Sequence, residues 1–164
     1  MSSNPSSPPP LSHILETCIY ARDLSASVEF YKGIFNIKPF LETPRMSGFS
    51  LGQTTLLLFQ IGSTHEDVHL QNGTIPGHGP TETIRHSLLT PSDTPTEKNP
   101  KLKQHFCLAV NNPEDVDRWD EHLRNKGVNV TARMKWERGG RSIYFEDPDG
   151  HVGEIASRGL WAHY

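Results

Sequence analysis

Glu16, His105 and Glu154 are the residues of this chain whose types and spacing can do metal chemistry together. Glu16 opens the stretch Glu16-Thr17-Cys18-Ile19-Tyr20-Ala21-Arg22-Asp23. His105 opens His105-Phe106-Cys107-Leu108-Ala109-Val110-Asn111-Asn112, 89 residues later. Each stretch begins with a coordinating side chain, continues as an alternating apolar strand and runs into a helix, as two copies of one unit would. Glu154 follows the turn Asp147-Pro148-Asp149-Gly150-His151 on the last strand. Two carboxylates and one imidazole make a hard, oxygen-rich donor set. It suits one divalent ion per site: Mn, Mg, Ni, Co or Zn. Fe(II) is a poorer match, because its usual non-haem set has a second His. Open coordination positions would admit a small oxygenated molecule, on which the ion would act as a Lewis acid. A ligand carboxylate can also shuttle a proton.

Blander roles compete for the same residues. Glu16 can be a surface strand residue, and a lone His105 is more often a satisfied core histidine. Glu154 lies between Gly153 and Ile155 on a strand that reads as buried, where an unpaired carboxylate is costly. Cys18 and Cys107 read as two small buried thiols rather than a redox pair. His151 reads as a surface turn residue and His122 as a helix flank. Arg138-Gly139-Gly140-Arg141 is first a hairpin turn, since no helix follows it to bind a phosphate.

The elements that must position these residues repeat in order. Residues 14–21 form a strand with Glu16, Cys18 and Tyr20 on one face. Asp23 or Ser25 caps a helix with the stripe Leu24, Val28, Tyr31 and Phe35, ended by Asn36. Strands follow at 38–41, 47–51 and 54–61. In the second half, a strand at 104–110 precedes a helix at 113–126, with Pro113 at its start and Gly127 past its end. Val116, Trp119, His122 and Leu123 share a face of that helix. Strands at 128–133, 141–146 and 152–156 complete the unit. The class is α+β, with two βαβββ modules at 12–61 and 104–164 forming one domain, the second with a C-terminal extension. Residues 1–11 read as a disordered tail. The proline- and glycine-rich stretch 62–103 reads as a long connection. Its part at 68–80 has apolar anchors and can act as a lid, and its polar part at 90–103 reads as mobile.

The net charge of −3 offers no basic surface for nucleic acid. No apolar run approaches the roughly 20 residues of a membrane span. Two cysteines and a start without a secretory pattern point to a reducing, cytoplasmic compartment.

The paired units, the segment Asp23-Leu24-Ser25-Ala26-Ser27-Val28-Glu29-Phe30-Tyr31 and the ending Ser142-Ile143-Tyr144-Phe145-Glu146-Asp147-Pro148-Asp149-Gly150-His151-Val152-Gly153-Glu154 resemble the vicinal oxygen chelate superfamily. That superfamily includes glyoxalase I, fosfomycin resistance enzymes, bleomycin resistance proteins and extradiol dioxygenases. The resemblance spans about residues 12–160. It implies two βαβββ modules paired into a cupped mixed sheet around a metal-binding cavity, and a homodimer, as in relatives that pair modules across chains. It places metal ligands at Glu16, His105 and Glu154. The fourth family position falls near Leu56 or Leu58, neither of which binds metal, so the pattern is nearer the three-ligand resistance enzymes than glyoxalase I. His13 is rejected, because the spacing from Glu16 to Asp23 equals that from His105 to Asn112. Glu154, Tyr144 and Arg141 are the catalytic candidates, with Arg141 able to bind an anionic group. Cys18, Tyr20, Leu58, Gln60, Cys107 and Trp136 are pocket candidates, with His69 and His78 on the lid.

The function implied is a metal-dependent, glyoxalase-like lyase, isomerase or ring-opening transferase acting on a small oxygenated molecule. Two alternatives are a metal-free small-molecule binding or resistance protein and an extradiol-type dioxygenase.

Overall fold

A computed structural model describes residues 8–90 and 101–164. The expected disorder of the first seven residues and the expected mobility of 91–100 lie outside the described residues. The first module comprises β1 (Glu16–Ala21), α1 (Leu24–Phe35), β2 (Leu41–Glu42), β3 (Met46–Leu51) and β4 (Thr54–Gln60). A ribbon of β5 (Val68–Leu70) and β6 (Gly73–Ile75) and the helix α2 (Glu82–Leu89) follow. The second module comprises β7 (His105–Val110), α3 (Pro113–Asn125), β8 (Val130–Lys135), β9 (Arg141–Glu146) and β10 (Val152–Ser157). Two four-stranded mixed sheets result, ordered β1-β4-β3-β2 and β7-β10-β9-β8. In each, the first strand runs parallel to the last and forms an edge.

Local chemistry sets the helix ends. The Asp23 side chain accepts from Ala26 N at 3.0 Å at the start of α1, and Asn36 ends it in the left-handed region at φ 54°. Asn112 and Asp115 form a capping box on α3, with Pro113 at its first turn. The stretch after β4 departs from a bare loop. It folds into the β5–β6 ribbon and α2, whose short segments carry too few apolar residues to show a period.

One core serves both modules. Ile19, Leu56, Leu58 and Phe49 of the first sheet and Phe106, Ile143, Phe145 and Ile155 of the second face α1 and α3. The Tyr31 ring packs 6.4 Å from Phe49 and 6.2 Å from Phe106, so a first-module helix joins both sheets. Phe30 meets Phe145, and Phe35 meets Trp119. His122 Nε2 donates to the Ile34 carbonyl at 2.8 Å, so this helix-flank histidine ties α3 to α1. Leu58 belongs to this core, at 0% exposure, and does not line a substrate pocket. Gln60 lines a cleft of about 490 Å³ beside the start of α1, away from the second sheet, and its amide donates to Arg22 O at 2.8 Å and accepts from Leu24 N at 3.1 Å.

The β9–β10 turn fastens the modules together. Asp147 accepts from Asp149 N, His151 N and the Tyr31 hydroxyl, the last at 2.8 Å. Asp149 accepts from Ser27 Oγ and from Arg22 N and Nη1. Burial raises the Asp147 carboxyl above the usual range. Burial, then the Asp147 charge, raises the Tyr31 phenol well above its ordinary value. His151 is fully buried, contrary to the surface turn residue expected from the sequence. The reason is that its ring lies between the modules, bonded to the Tyr20 carbonyl of β1 and to Gln104 N.

Candidate functional site

Strand alternation puts His105 and Cys107 of β7, Glu154 of β10, and Ser142 and Tyr144 of β9 on the face of the second sheet away from the helices. Glu154 pairs with Cys107 on one side and with Tyr144 on the other. His105 Nε2 stands 3.4 Å from Glu154 Oε2. His105 Nδ1 lies 3.0 Å from the Val152 carbonyl. A carbonyl can only accept, so Nδ1 carries a proton and, in the neutral ring, Nε2 presents its lone pair to the carboxylate. Two lone pairs face each other, an arrangement favoured only with a proton or a cation between them. Glu154 is 4% exposed, and its buried Oε1 has no hydrogen-bond partner among the described residues. Such an orphaned carboxylate oxygen is costly and fits a cation. The His105–Val152 bond is of the same type as the contacts that orient metal-binding histidines in general.

The neighbours tune this pair. The Tyr144 ring stacks 6.3 Å from that of His105, and burial, with the Glu154 carboxylate behind it, raises its phenol. Cys107 is an exposed residue of the edge strand β7, contrary to the buried thiol expected from the sequence, and its thiol lies beside Glu154. Desolvation, followed by that carboxylate's charge, pushes it up to about 12, so it is protonated at neutral pH. Trp136 flanks the face, its indole N–H donating to Ser142 Oγ at 2.8 Å.

The other candidates lie elsewhere. Glu16 is exposed at the start of β1, in the other sheet. Among the described residues no group of three or more His, Cys, Asp and Glu is placed to hold a metal. One chain therefore supplies the His105–Glu154 pair without Glu16. Glu16 and His105 hold equivalent places in the repeat but lie on different sheets. Arg141 turns to the helix side and pairs with Asp117 of α3 rather than reaching the site. Tyr20 and Cys18 sit on the corresponding face of the first sheet, in an apolar cluster with Leu57 and Phe59. His78 covers that face, its Nδ1 2.8 Å from the Tyr20 hydroxyl. The lid residue His78 thus lies over the first module, and His69 Nδ1 lies 3.0 Å from Thr74 Oγ1 within the ribbon. Register also corrects the fourth position. Cys18 pairs with Leu57 as Cys107 pairs with Glu154, so Leu57, not Leu56 or Leu58, is the counterpart of Glu154. Clefts of about 640 and 530 Å³ run along the seam between the modules, sharing Phe35, Val110 and Trp119 in their walls. The His105–Glu154 pair lines neither and sits on the open sheet face.

Among the described residues no helix is long and apolar enough to cross a membrane. The sequence is 28% identical over 134 residues to the metallothiol transferase FosB of Bacillus licheniformis, covering 81% of this chain and 67% of that protein. It is also 28% identical to the FosB of Staphylococcus saprophyticus, covering 81% and 68%. The fold superposes on lactoylglutathione lyase from Agrobacterium tumefaciens with a TM-score of 0.73 and 27% identity, over 94% of this chain and 99% of that one. A glyoxalase/bleomycin resistance protein/dioxygenase from Nocardioides shares the fold at 0.62 and 20% identity, over 92% and 86%. The Glyoxalase/Bleomycin resistance protein/Dioxygenase superfamily pattern matches residues 11–155. With its two βαβββ modules and a match over most of its length, the chain belongs to this superfamily, also known as the vicinal oxygen chelate superfamily.

Proposed function

We propose that the protein is a metal-dependent transferase, with a glyoxalase-like lyase or isomerase as the next reading, acting on a small oxygenated molecule. The carrying observation is that His105 Nε2 faces Glu154 Oε2 while Glu154 Oε1 is buried without a partner. The names of the FosB relatives, metallothiol transferases, support transfer, and that of the lactoylglutathione lyase supports the second reading. His105 and Glu154 would hold a divalent ion, which supplies Lewis-acid polarisation of a substrate oxygen. The Tyr144 hydroxyl, kept protonated, is placed to donate to a substrate oxygen beside the pair. Cys107, protonated for the same reason, can donate a weak hydrogen bond and is no nucleophile at neutral pH.

The pair needs a third donor, and we assign it to Glu16 of the partner subunit in a homodimer. Among the described residues, β1 and β7 are edge strands without a strand on their outer sides, so each can lie against a second copy. Both cysteines are free, which fits a reducing, cytoplasmic setting.

The test is metal content after chelation and reloading with Mn, Co, Ni or Zn. Wild type should hold about one ion per chain, and Glu154→Ala should hold none; equal content in both overturns the proposal. Mixing Glu16→Ala with Glu154→Ala chains should regenerate one intact site per mixed dimer. No regeneration would refute the shared ligand.

A second reading, a metal-free small-molecule binder, is favoured by the apolar first-module face of Tyr20, Leu57 and Phe59. Ligand binding that survives exhaustive chelation would select it.

A further inference from the structure

We propose that His151 is a positioning residue for the His105–Glu154 pair, acting through the backbone N–H of Gln104. The inference rests on the metal reading above for its function, but on local geometry for its existence.

His151 is 0% exposed, and both its ring nitrogens are engaged. Nδ1 lies 3.2 Å from Gln104 N, a donor, so Nδ1 is the acceptor. Nε2 therefore carries the proton and donates to the Tyr20 carbonyl at 2.7 Å. The ring cannot flip without losing both bonds, and with both nitrogens engaged it is neither ligand nor base.

Its two bonds reach different places. Gln104 immediately precedes His105, and its backbone is held on both sides: its N–H donates to His151 Nδ1, and its carbonyl accepts from Val152 N at 2.8 Å. Val152 in turn accepts from the His105 ring. The start of β7 is thereby set against β10, the strand that carries Glu154. The second bond points to the first module, where the Tyr20 peptide also donates its N–H to Gln104 Oε1 at 3.2 Å. One imidazole thus orients the pair through Nδ1 and couples the modules through Nε2. A residue that merely fills space would not separate these roles.

Two substitutions do separate them. An Asn amide oxygen can take the place of Nδ1, and a Gln amide nitrogen the place of Nε2. His151→Asn keeps the bond to Gln104 N–H and gives up the one to Tyr20; His151→Gln does the reverse. The measurement is titration of the full chain with Co2+, followed by visible absorption, alongside thermal unfolding. The Asn variant should bind cobalt like wild type. The Gln variant should bind about ten- to a hundred-fold more weakly, the range for outer-shell partners of metal-binding His. Equal cobalt affinity in all three proteins, or affinity that falls in step with Tm in both variants, would overturn the proposal. Should wild type take up no cobalt, the metal reading fails, and 15N–1H spectra of the histidine rings decide the positioning role. His105 kept in its Nδ1–H form by wild type and Asn but not by Gln sustains it, and the same form in all three refutes it. If either variant does not fold, Gln104→Ala serves, because it keeps the N–H on His151 and loses only the side-chain bond to Tyr20. Its cobalt affinity, or failing cobalt its His105 ring form, should match wild type, and a departure in a folded protein overturns the assignment.

Discussion

The helix-averted faces of the two sheets share a register and carry opposite chemistry. At matching places the first sheet has Cys18, Leu57, Gly48, Met46 and Phe59, and the second has Cys107, Glu154, Tyr144, Ser142 and Ala156. The first face is apolar and capped by His78, with the Tyr20 and Phe59 rings stacked 6.1 Å apart. The second is open and polar. Leu57 is 8% exposed and Glu154 4%, so the two places are about equally dry. A leucine there is satisfied by contact, whereas a carboxylate needs partners, and its Oε1 has none among the described residues. The duplication has kept the backbone ladder and separated a structural face from a chemical one.

Four measurements would break or sharpen this contrast. The largest effect is on Cys107. With its thiol raised by desolvation and then by the Glu154 charge, its thiolate fraction at pH 8 should lie well below that of an ordinary cysteine, although the residue is exposed. Alkylation of chelator-treated protein by iodoacetamide should be correspondingly slow, and Glu154→Gln, which removes the second cause, should speed it. Fast alkylation in wild type would erase the contrast between the faces. Next, Leu57→Ala should cost about 2–5 kcal/mol in urea unfolding, as a buried leucine does, and leave metal content unchanged. Lost metal without lost stability would mean that the first face also does chemistry.

Third, Tyr31→Phe should cost about 1–3 kcal/mol by leaving Asp147 short of a donor. The Asp147 carboxyl is raised by burial, so the stability linked to it is complete below the unfolded-state value near about 4 and declines as pH rises through the raised folded value. The Tyr31 bond opposes that rise, so its removal should hurt more at pH 7 than at pH 4. Equal deficits at the two pH values would show that the bond is indifferent to the charge. The smallest effect is Tyr20→Phe, about 0.5–1.5 kcal/mol for the hydroxyl bond to His78, again without change in metal content.

Much of this arrangement was legible in the residues. Strand alternation and the helix-end residues Asp23, Asn36, Pro113 and Gly127 placed β1, α1, β7 and α3, and the common spacing from Glu16 and His105 to their helices gave the repeat. Glu154 stood out as a carboxylate on a buried strand. Three features were hidden for physical reasons. The offset relating Glu16 to His105 does not relate Leu57 to Glu154, because the modules' internal connections differ in length. A one-residue slip then assigned Leu58 to the wrong face. The burial of His151 depends on contacts with Tyr20 in the other module, which no local pattern encodes. Arg141 was misread because strand parity, not proximity to the hairpin, decides that it meets Asp117.

The turn of Asp147, Asp149 and His151 also bears on the order of folding and on dissection of the gene. Its acids and its imidazole find their donors and acceptors on β1 and α1, more than a hundred residues upstream. The later half, produced by itself, would leave that hairpin end wet and unpaired and strip Phe106 and Phe145 of the helix that shields them. Though it looks like a freestanding unit, it is half of an arch that stands only once both sides are in place.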